Sequence, residues 1–256
     1  MFGNGIALVT GAAGGLGRAT AVMLVNRGMK VVLADTVFEK YSTVREMIPL
    51  LRDPKNSLFQ PINTIESDSV NKVLDATEER FGGPPSLVVH CAGVTASHSL
   101  FDEHGVHSLN LFERVLSINT SGTFNVARLA AQRIRTIKPV KGGERGLIIT
   151  TSSMTGYEGG AKQIAYSTSK AAVIGMTLPF ARALGEYGIR FNSIAPGMFL
   201  TPMLEGYEEA VEALEELIPF PKRLGTAKDF TRAVEFLMDC SMVNGAVIRV
   251  DGGLRA

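Results

Sequence analysis

The chain has 256 residues, 45% of them hydrophobic and 20% charged, with 26 Lys and Arg against 25 Asp and Glu. At that length one core can bury roughly 70 to 75% of the unfolded surface, which excludes a disordered chain and a disulfide-stapled miniprotein. A formal net charge of +1 offers no basic field to a nucleic-acid backbone, and the two cysteines, Cys91 and Cys240, are too few for a disulfide framework and lack metal-ligand spacing.

No run approaches the ~18 consecutive apolar residues of a spanning helix, and the N-terminus shows no secretory pattern, so a soluble protein without a membrane partner is expected. The expected location is cytoplasmic, with the mitochondrial matrix as the alternative. Short runs rich in Val and Ile alternate with segments of helical period, the pattern of repeated βαβ units around a parallel sheet. In chain order, strands are predicted at 6–10, 30–35, 57–62, 86–91, 146–151, 189–195 and 246–250. The first predicted helix carries Leu16, Ala19, Thr20, Met23 and Leu24 on one face and stops at Gly28, a residue suited to a left-handed cap. Further helices are predicted at 68–81, 109–138, 166–187, 207–217 and 227–239. Seven strands suit one doubly wound α/β sheet, and no linker or tandem repeat divides residues 1–256, so one domain is expected.

Thr10-Gly11-Ala12-Ala13-Gly14-Gly15-Leu16-Gly17 falls between the first strand and the first helix, where a nucleotide diphosphate meets the unpaired N–H groups of a helix N-terminus. Glycine there lets a phosphate approach and permits positive φ; a plain tight turn is the alternative. Asp35 ends the second predicted strand, roughly 20 residues beyond the loop, where a carboxylate accepts both ribose hydroxyls of an adenosine. The same charge repels a 2'-phosphate, by on the order of 4 kcal/mol per unit charge at ~4 Å and an effective dielectric of ~20 before solvent screening. NAD is therefore the expected cofactor over NADP, unless Asp35 merely caps the next helix.

The spacing Gly11-x-x-x-Gly15-x-Gly17 departs from G-x-G-x-x-G and resembles that of the short-chain dehydrogenase/reductase family. Further landmarks of that family follow in order: Cys91-Ala92-Gly93 after the fourth strand, Asn119 in a helix, Ser153 after the fifth strand, Tyr166-Ser167-Thr168-Ser169-Lys170 opening a long helix, and Pro196-Gly197 after the sixth strand. The resemblance spans essentially the whole chain and implies a single-domain Rossmann fold, a seven-stranded parallel sheet with helices on both faces. It implies a dinucleotide site at Gly11, Gly14, Gly15, Leu16, Gly17, Asp35, Asn63, Thr64, Cys91, Ala92 and Gly93. NADP-dependent members often carry Arg or Lys just before the second glycine, where this chain has Gly14.

Hydride exchange between a carbinol carbon and nicotinamide needs a proton acceptor and groups that hold the oxygen in line. Tyr166 and Lys170 are i and i+4 on a helix and share a face. A free phenol is about 0.1% ionised at pH 7, so Tyr166 must be acidified to serve as a base, a task for the Lys170 ammonium helped by the positive nicotinamide, provided both outweigh desolvation. By the resemblance, Tyr166 is the acid/base, Lys170 also binds the cofactor ribose, Ser153 orients the substrate and Asn119 kinks its helix and relays protons. Ser152 competes for the serine role, but only Ser153 stands thirteen residues before Tyr166. Phe199 and Thr201 would hold the nicotinamide carboxamide, the alternative being a turn with a buried aromatic. A substrate lid is expected at about 198–222.

Three longer runs, Gly122-Thr123-Phe124-Asn125-Val126, Gly175-Met176-Thr177-Leu178-Pro179 and Pro219-Phe220-Pro221-Lys222-Arg223-Leu224-Gly225, resemble one subgroup, the type II 3-hydroxyacyl-CoA dehydrogenases, also named 17β-hydroxysteroid dehydrogenase type 10. That subgroup oxidises secondary alcohols on acyl-CoA and steroids with NAD and forms homotetramers. A small lipophilic alcohol or ketone is the expected substrate and a homotetramer the expected assembly. Pro179, inside a predicted helix, would impose a kink that shapes packing or a subunit contact.

The chain departs from the subgroup at His90, where Asn precedes Cys-Ala-Gly, and at Asn63, where an Asp meets the adenine. The third departure is the glutamate run Glu205, Glu208, Glu209, Glu212, Glu215 and Glu216, which would repel coenzyme A if it faced the site, or would be a solvated outer stripe. His90, His98, His104 and His107 lie within eighteen residues; surface or pocket histidines are expected there rather than a zinc site. Two other functions stay open, a tailoring enzyme for a bulky lipophilic substrate and a scaffold subunit of an RNA-processing assembly.

Overall fold

A computed structural model describes residues 2, 5–39, 47–51, 53–103, 105–200 and 208–255. Parallel strands β1 (Ile6–Thr10), β2 (Lys30–Ala34), β3 (Ser57–Gln60), β4 (Leu87–His90), β7 (Gly146–Thr151), β8 (Ile189–Pro196) and β9 (Val247–Val250) form a seven-stranded sheet in the order β3-β2-β1-β4-β7-β8-β9. These are the seven expected strands with their ends moved by two residues at most. An antiparallel pair, β5 (Phe101–Asp102) and β6 (Gly105–Val106), stands apart. The sequence reading missed it, because two-residue strands carry no period.

Alternation along the central strands divides the core. Ala7 and Val9 of β1 join Leu87 and Val89 of β4 on one face, packed against helices α1 (Gly15–Asn26) and α7 (Ala227–Asp239). Leu8, Val88 and Ile148 join the other face, covered by α2 (Ser67–Phe81), α4 (Gly122–Ile134) and α5 (Ile164–Gly185). On that face Phe180 stacks on Phe191 with ring centroids 4.6 Å apart, an offset worth about 0.5–1.5 kcal/mol beyond burial. Gly28 follows α1 at φ +88° and ends it in the left-handed conformation that the sequence suggests.

The helix expected at 109–138 is three pieces: α3 (Leu109–Leu116), a π-helical segment over Ser117–Ser121, and α4. The extra residue in that turn sits at Asn119, whose side chain is drawn out of the helix by partners elsewhere. Pro179 stands inside α5, as expected.

Strand order reverses between β1 and β4, so the loops leaving their carboxyl ends diverge and open a crevice at the topological switch point. That crevice is where the glycine loop, Asp35 and Cys91-Ala92-Gly93 converge.

Candidate active site

The cleft at the switch point has a volume of about 370 Å³ and is lined by Gly11, Gly14, Asp35, Asn63, Thr64, Cys91, Ala92 and Gly93, together with Thr36, Ile62, Val94, Arg114 and Ile118. The loop's construction explains its glycines. Gly11 has φ +66°, and a Cβ on Gly17 would lie 2.2 Å from the Gly11 carbonyl oxygen, so the turn closes only without side chains there. A Cβ on Gly15 would meet nothing within 4 Å; that open side and the uncapped first turn of α1 leave backbone N–H groups facing unfilled space. A dinucleotide diphosphate fits this cradle.

Asp35 does two jobs at once. Its carboxylate accepts from the Ala13 amide at 3.1 Å, fastening the glycine loop, and from the Val37 amide at 3.3 Å, opening the short 3-10 turn Thr36–Glu39. The capping and cofactor readings are thus compatible, because the carboxylate also borders the cleft. Asn63 accepts from the Ile65 amide and donates to Glu66 at 2.7 Å, while Thr64 is buried under Gly122, where a Cβ would come within 2.6 Å of the threonine hydroxyl.

The residues expected to react gather beside that cleft. Ser153 follows β7, and Tyr166 and Lys170 lie on the first two turns of α5. Lys170 is buried and donates from Nζ to the Thr151 carbonyl at 2.9 Å, with Nζ 5.6 Å from the Tyr166 ring centroid. Burial holds its ammonium down at about 8, so it is still charged at neutral pH. Burial raises Tyr166 above the ordinary tyrosine value and the neighbouring Ser153 hydroxyl only partly offsets this, so the free protein holds a neutral phenol.

Ser152 donates to the Ile194 carbonyl at 3.1 Å and is committed to the sheet, leaving Ser153 as the hydroxyl on the phenol's side. Asn119 donates from Nδ2 to the Val94 carbonyl at 2.8 Å and to the Ser169 hydroxyl at 2.9 Å, and accepts from the Val94 amide. It pins the loop after Gly93 to α5, one residue from Lys170. A Cβ on Gly93 would lie 3.1 Å from Asn119 Oδ1 and 3.5 Å from Lys170 Nζ, which keeps that approach for glycine.

Phe199 is buried in the core with its ring packed on Gly225, so its side chain fits the alternative of a turn with a buried aromatic. Thr201 and His104 lie outside the described residues, as does 201–207 of the expected lid. Within helix α6 (Glu208–Glu216), Val211 and Leu214 pack on Met154, Ile218, Leu224 and Leu254, while Glu212 and Glu216 are exposed and Glu215 accepts from the Leu224 amide. These three glutamates do not line the cleft. His98 and His107 form an edge-on pair at 6.0 Å, and among the described residues no group of three or more metal-ligating side chains gathers. Nor is any described helix long and apolar enough to cross a membrane.

His90 is buried at the end of β4, with Nδ1 2.8 Å from the Thr10 hydroxyl and Nε2 without a partner. Burial, with the Lys170 charge second, pulls its imidazole down to about 3, so it is neutral. Sequence reasoning missed Thr36, Ile62, Val94, Arg114 and Ile118 as cleft-lining residues. Ile118 could have been found as the neighbour of Asn119 on the same helix; the others carry no motif signal.

Residues 5–212 match the family model described as short chain dehydrogenase. The whole chain is 42% identical over 258 residues to the 3-hydroxyacyl-CoA dehydrogenase type-2 of Drosophila melanogaster, covering 100% of this chain and 99% of that one. It is 38% identical to the protein of the same name from Homo sapiens, over 98% of this chain and 95% of the relative. A crystal structure of 3-hydroxyacyl-CoA dehydrogenase type-2 from Mycobacterium avium superposes with a TM-score of 0.88 at 36% identity, covering 98% and 96% of the two chains. Dehydrogenases of this family generally use NAD(P). The chain belongs to the short-chain dehydrogenase family and is an oxidoreductase that interconverts a secondary alcohol and a ketone.

Proposed function

We propose that the protein is an NAD-dependent dehydrogenase of a 3-hydroxyacyl thioester, with Asn119, Ser153, Tyr166 and Lys170 as its reacting set. The observation that carries this reading is the convergence of a buried ammonium, a phenol and the Ser153 hydroxyl behind Gly93 of a cleft that Asp35 also lines. When bound, the nicotinamide accepts hydride from the carbinol carbon or returns it to the ketone.

The chain's own residues handle the oxygen and the proton. Ser153 donates to the substrate oxygen and fixes its distance from Tyr166. In the ketone-reducing direction the neutral phenol gives its proton to the oxygen as it stands. In the oxidising direction it must lose that proton first, and Lys170, charged below about pH 8, stabilises the phenolate together with the positive nicotinamide. Asn119 holds the Val94 backbone against Ser169 of α5, beside Lys170, and would relay the proton there. Gly11, Gly14, Gly15, Leu16 and Gly17 would bind the diphosphate. Asp35 would bind the adenosine ribose, with Asn63 and Thr64 near the adenine.

The substrate class rests on the relatives' names and on α6. Glu212 and Glu216 are exposed and Glu215 accepts from the Leu224 amide, so their repulsion of the phosphates of coenzyme A is screened by solvent; the side chains of Glu205, Glu208 and Glu209 lie outside the described residues. The test is turnover followed at the NADH absorbance band, with NAD and NADP, for 3-hydroxyacyl-CoA esters, hydroxysteroids and simple secondary alcohols. The reading expects turnover of the thioesters with NAD at least a hundredfold preferred. Absence of thioester oxidation, or a preference for NADP, contradicts it.

A further inference from the structure

Of the thirteen residues lining the cleft, one is anionic, Asp35, and one is cationic, Arg114. The glycine loop from Gly11 to Gly17 contributes no cation. A dinucleotide brings two negative phosphates into this space; α1 meets them with its backbone dipole, and its one first-turn cation, Arg18, is exposed but does not line the cleft.

Arg114 is not occupied elsewhere. Its side chain makes no hydrogen bond or ion pair among the described residues, whereas Arg128, Arg133, Arg190 and Arg249 are each committed to protein acceptors. Nor does its helix offer a partner. The positions three and four away on either side hold Asn110, Leu111, Ser117 and Ile118, none of them acidic. Ile118, one turn on, lines the same cleft, so both residues lie on the stripe of this helix that borders the cavity. A guanidinium kept exposed and unpaired at a nucleotide-sized cleft is an anion-seeking group.

We infer that Arg114 is a cofactor-binding residue that draws the anionic diphosphate into the cleft it shares with Gly11 and Gly14. This rests on the reading of the cleft as a dinucleotide site. It assigns the site's missing positive charge to a residue outside the glycine loop. Because the guanidinium is solvated, the contribution is a screened one, about three- to tenfold in affinity at low ionic strength and less at high.

The test is calorimetric titration of the full chain and its Arg114→Gln and Arg114→Lys variants with ADP-ribose and with adenosine, at low and at high salt. Expected is a loss of about three- to tenfold for ADP-ribose in Arg114→Gln, shrinking at high salt, with most affinity kept in Arg114→Lys. Adenosine, which carries no phosphate, should bind all three proteins within twofold. Equal ADP-ribose affinity in wild type and Arg114→Gln overturns the inference. So does an equal loss for adenosine, which would mark a packing role instead. Wild-type protein that prefers NADPH to NADH would refute the NAD reading alone, since ADP-ribose lacks the 2'-phosphate and still decides Arg114.

Discussion

His90 sits where a charge would be most disruptive, at the paired ends of β1 and β4 with Thr10 on one nitrogen and no partner on the other. The unfolded imidazole takes its proton near pH 6.5 and the folded one near 3. Between those values unfolding consumes a proton, so stability is full above about pH 6.5 and falls as the pH drops toward 3, by up to roughly 5 kcal/mol. His90→Asn retains a polar partner for Thr10 and removes the titration. Chemical denaturation at several pH values should show a shallower loss between pH 6.5 and 4 in the variant; an unchanged slope would show that other groups govern it. The role proposed for Asp35 is of the opposite kind, its charge selecting what enters the cleft. Asp35→Ser should raise the NADPH-to-NADH affinity ratio by a hundredfold or so, at some cost in loop stability through the lost Ala13 bond. Binding titrations with both reduced cofactors measure it, and an unchanged ratio refutes the role.

Among the elements, α1 depends most tightly on single atoms. A methyl on Gly17 would overlap the Gly11 carbonyl, which is backbone and cannot swing aside. Gly17→Ala should therefore shift the start of α1 and lower both the melting temperature and NADH affinity. Gly15→Ala, facing open space in the protein alone, should melt normally yet bind NADH worse. Normal NADH binding by both variants would contradict the cradle. These contrasts show what was legible in the sequence. The glycine spacing located the loop and Gly28 located the helix stop, because backbone conformation there admits few other residues. Asn119 was readable only through family likeness, since nothing in the local period signals a π turn. Arg114 and the β5/β6 pair were not readable at all, because an unpaired surface arginine and a two-residue strand leave no pattern.

At the scale of the molecule, the sheet was legible because buried parallel strands read as continuous Val and Ile runs. The surface was not, because contacts across it join residues far apart in sequence. Phe124 on α4 and Leu178 on α5 are both about half exposed, and Phe124 touches Phe180 at 5.7 Å. Half-exposed apolar groups on both helices favour a subunit contact, in keeping with the expected homotetramer. Light scattering should give four times the 27.4 kDa chain mass. Phe124→Glu with Leu178→Glu should lower it, and a wild-type monomer would contradict the assembly.

The central claim is that Tyr166 moves the proton while hydride passes between substrate and nicotinamide. Its most direct test is stopped-flow formation of NADH from a 3-hydroxyacyl-CoA ester by wild type and Tyr166→Phe, across pH 6 to 10. Wild type should speed up as pH rises toward about 8, while Lys170 still carries the charge that stabilises the phenolate, whereas Tyr166→Phe should be slower by about 10²–10⁴ and lose that dependence while binding NADH normally. A Tyr166→Phe protein that forms NADH at the wild-type rate with the same pH profile would contradict the account.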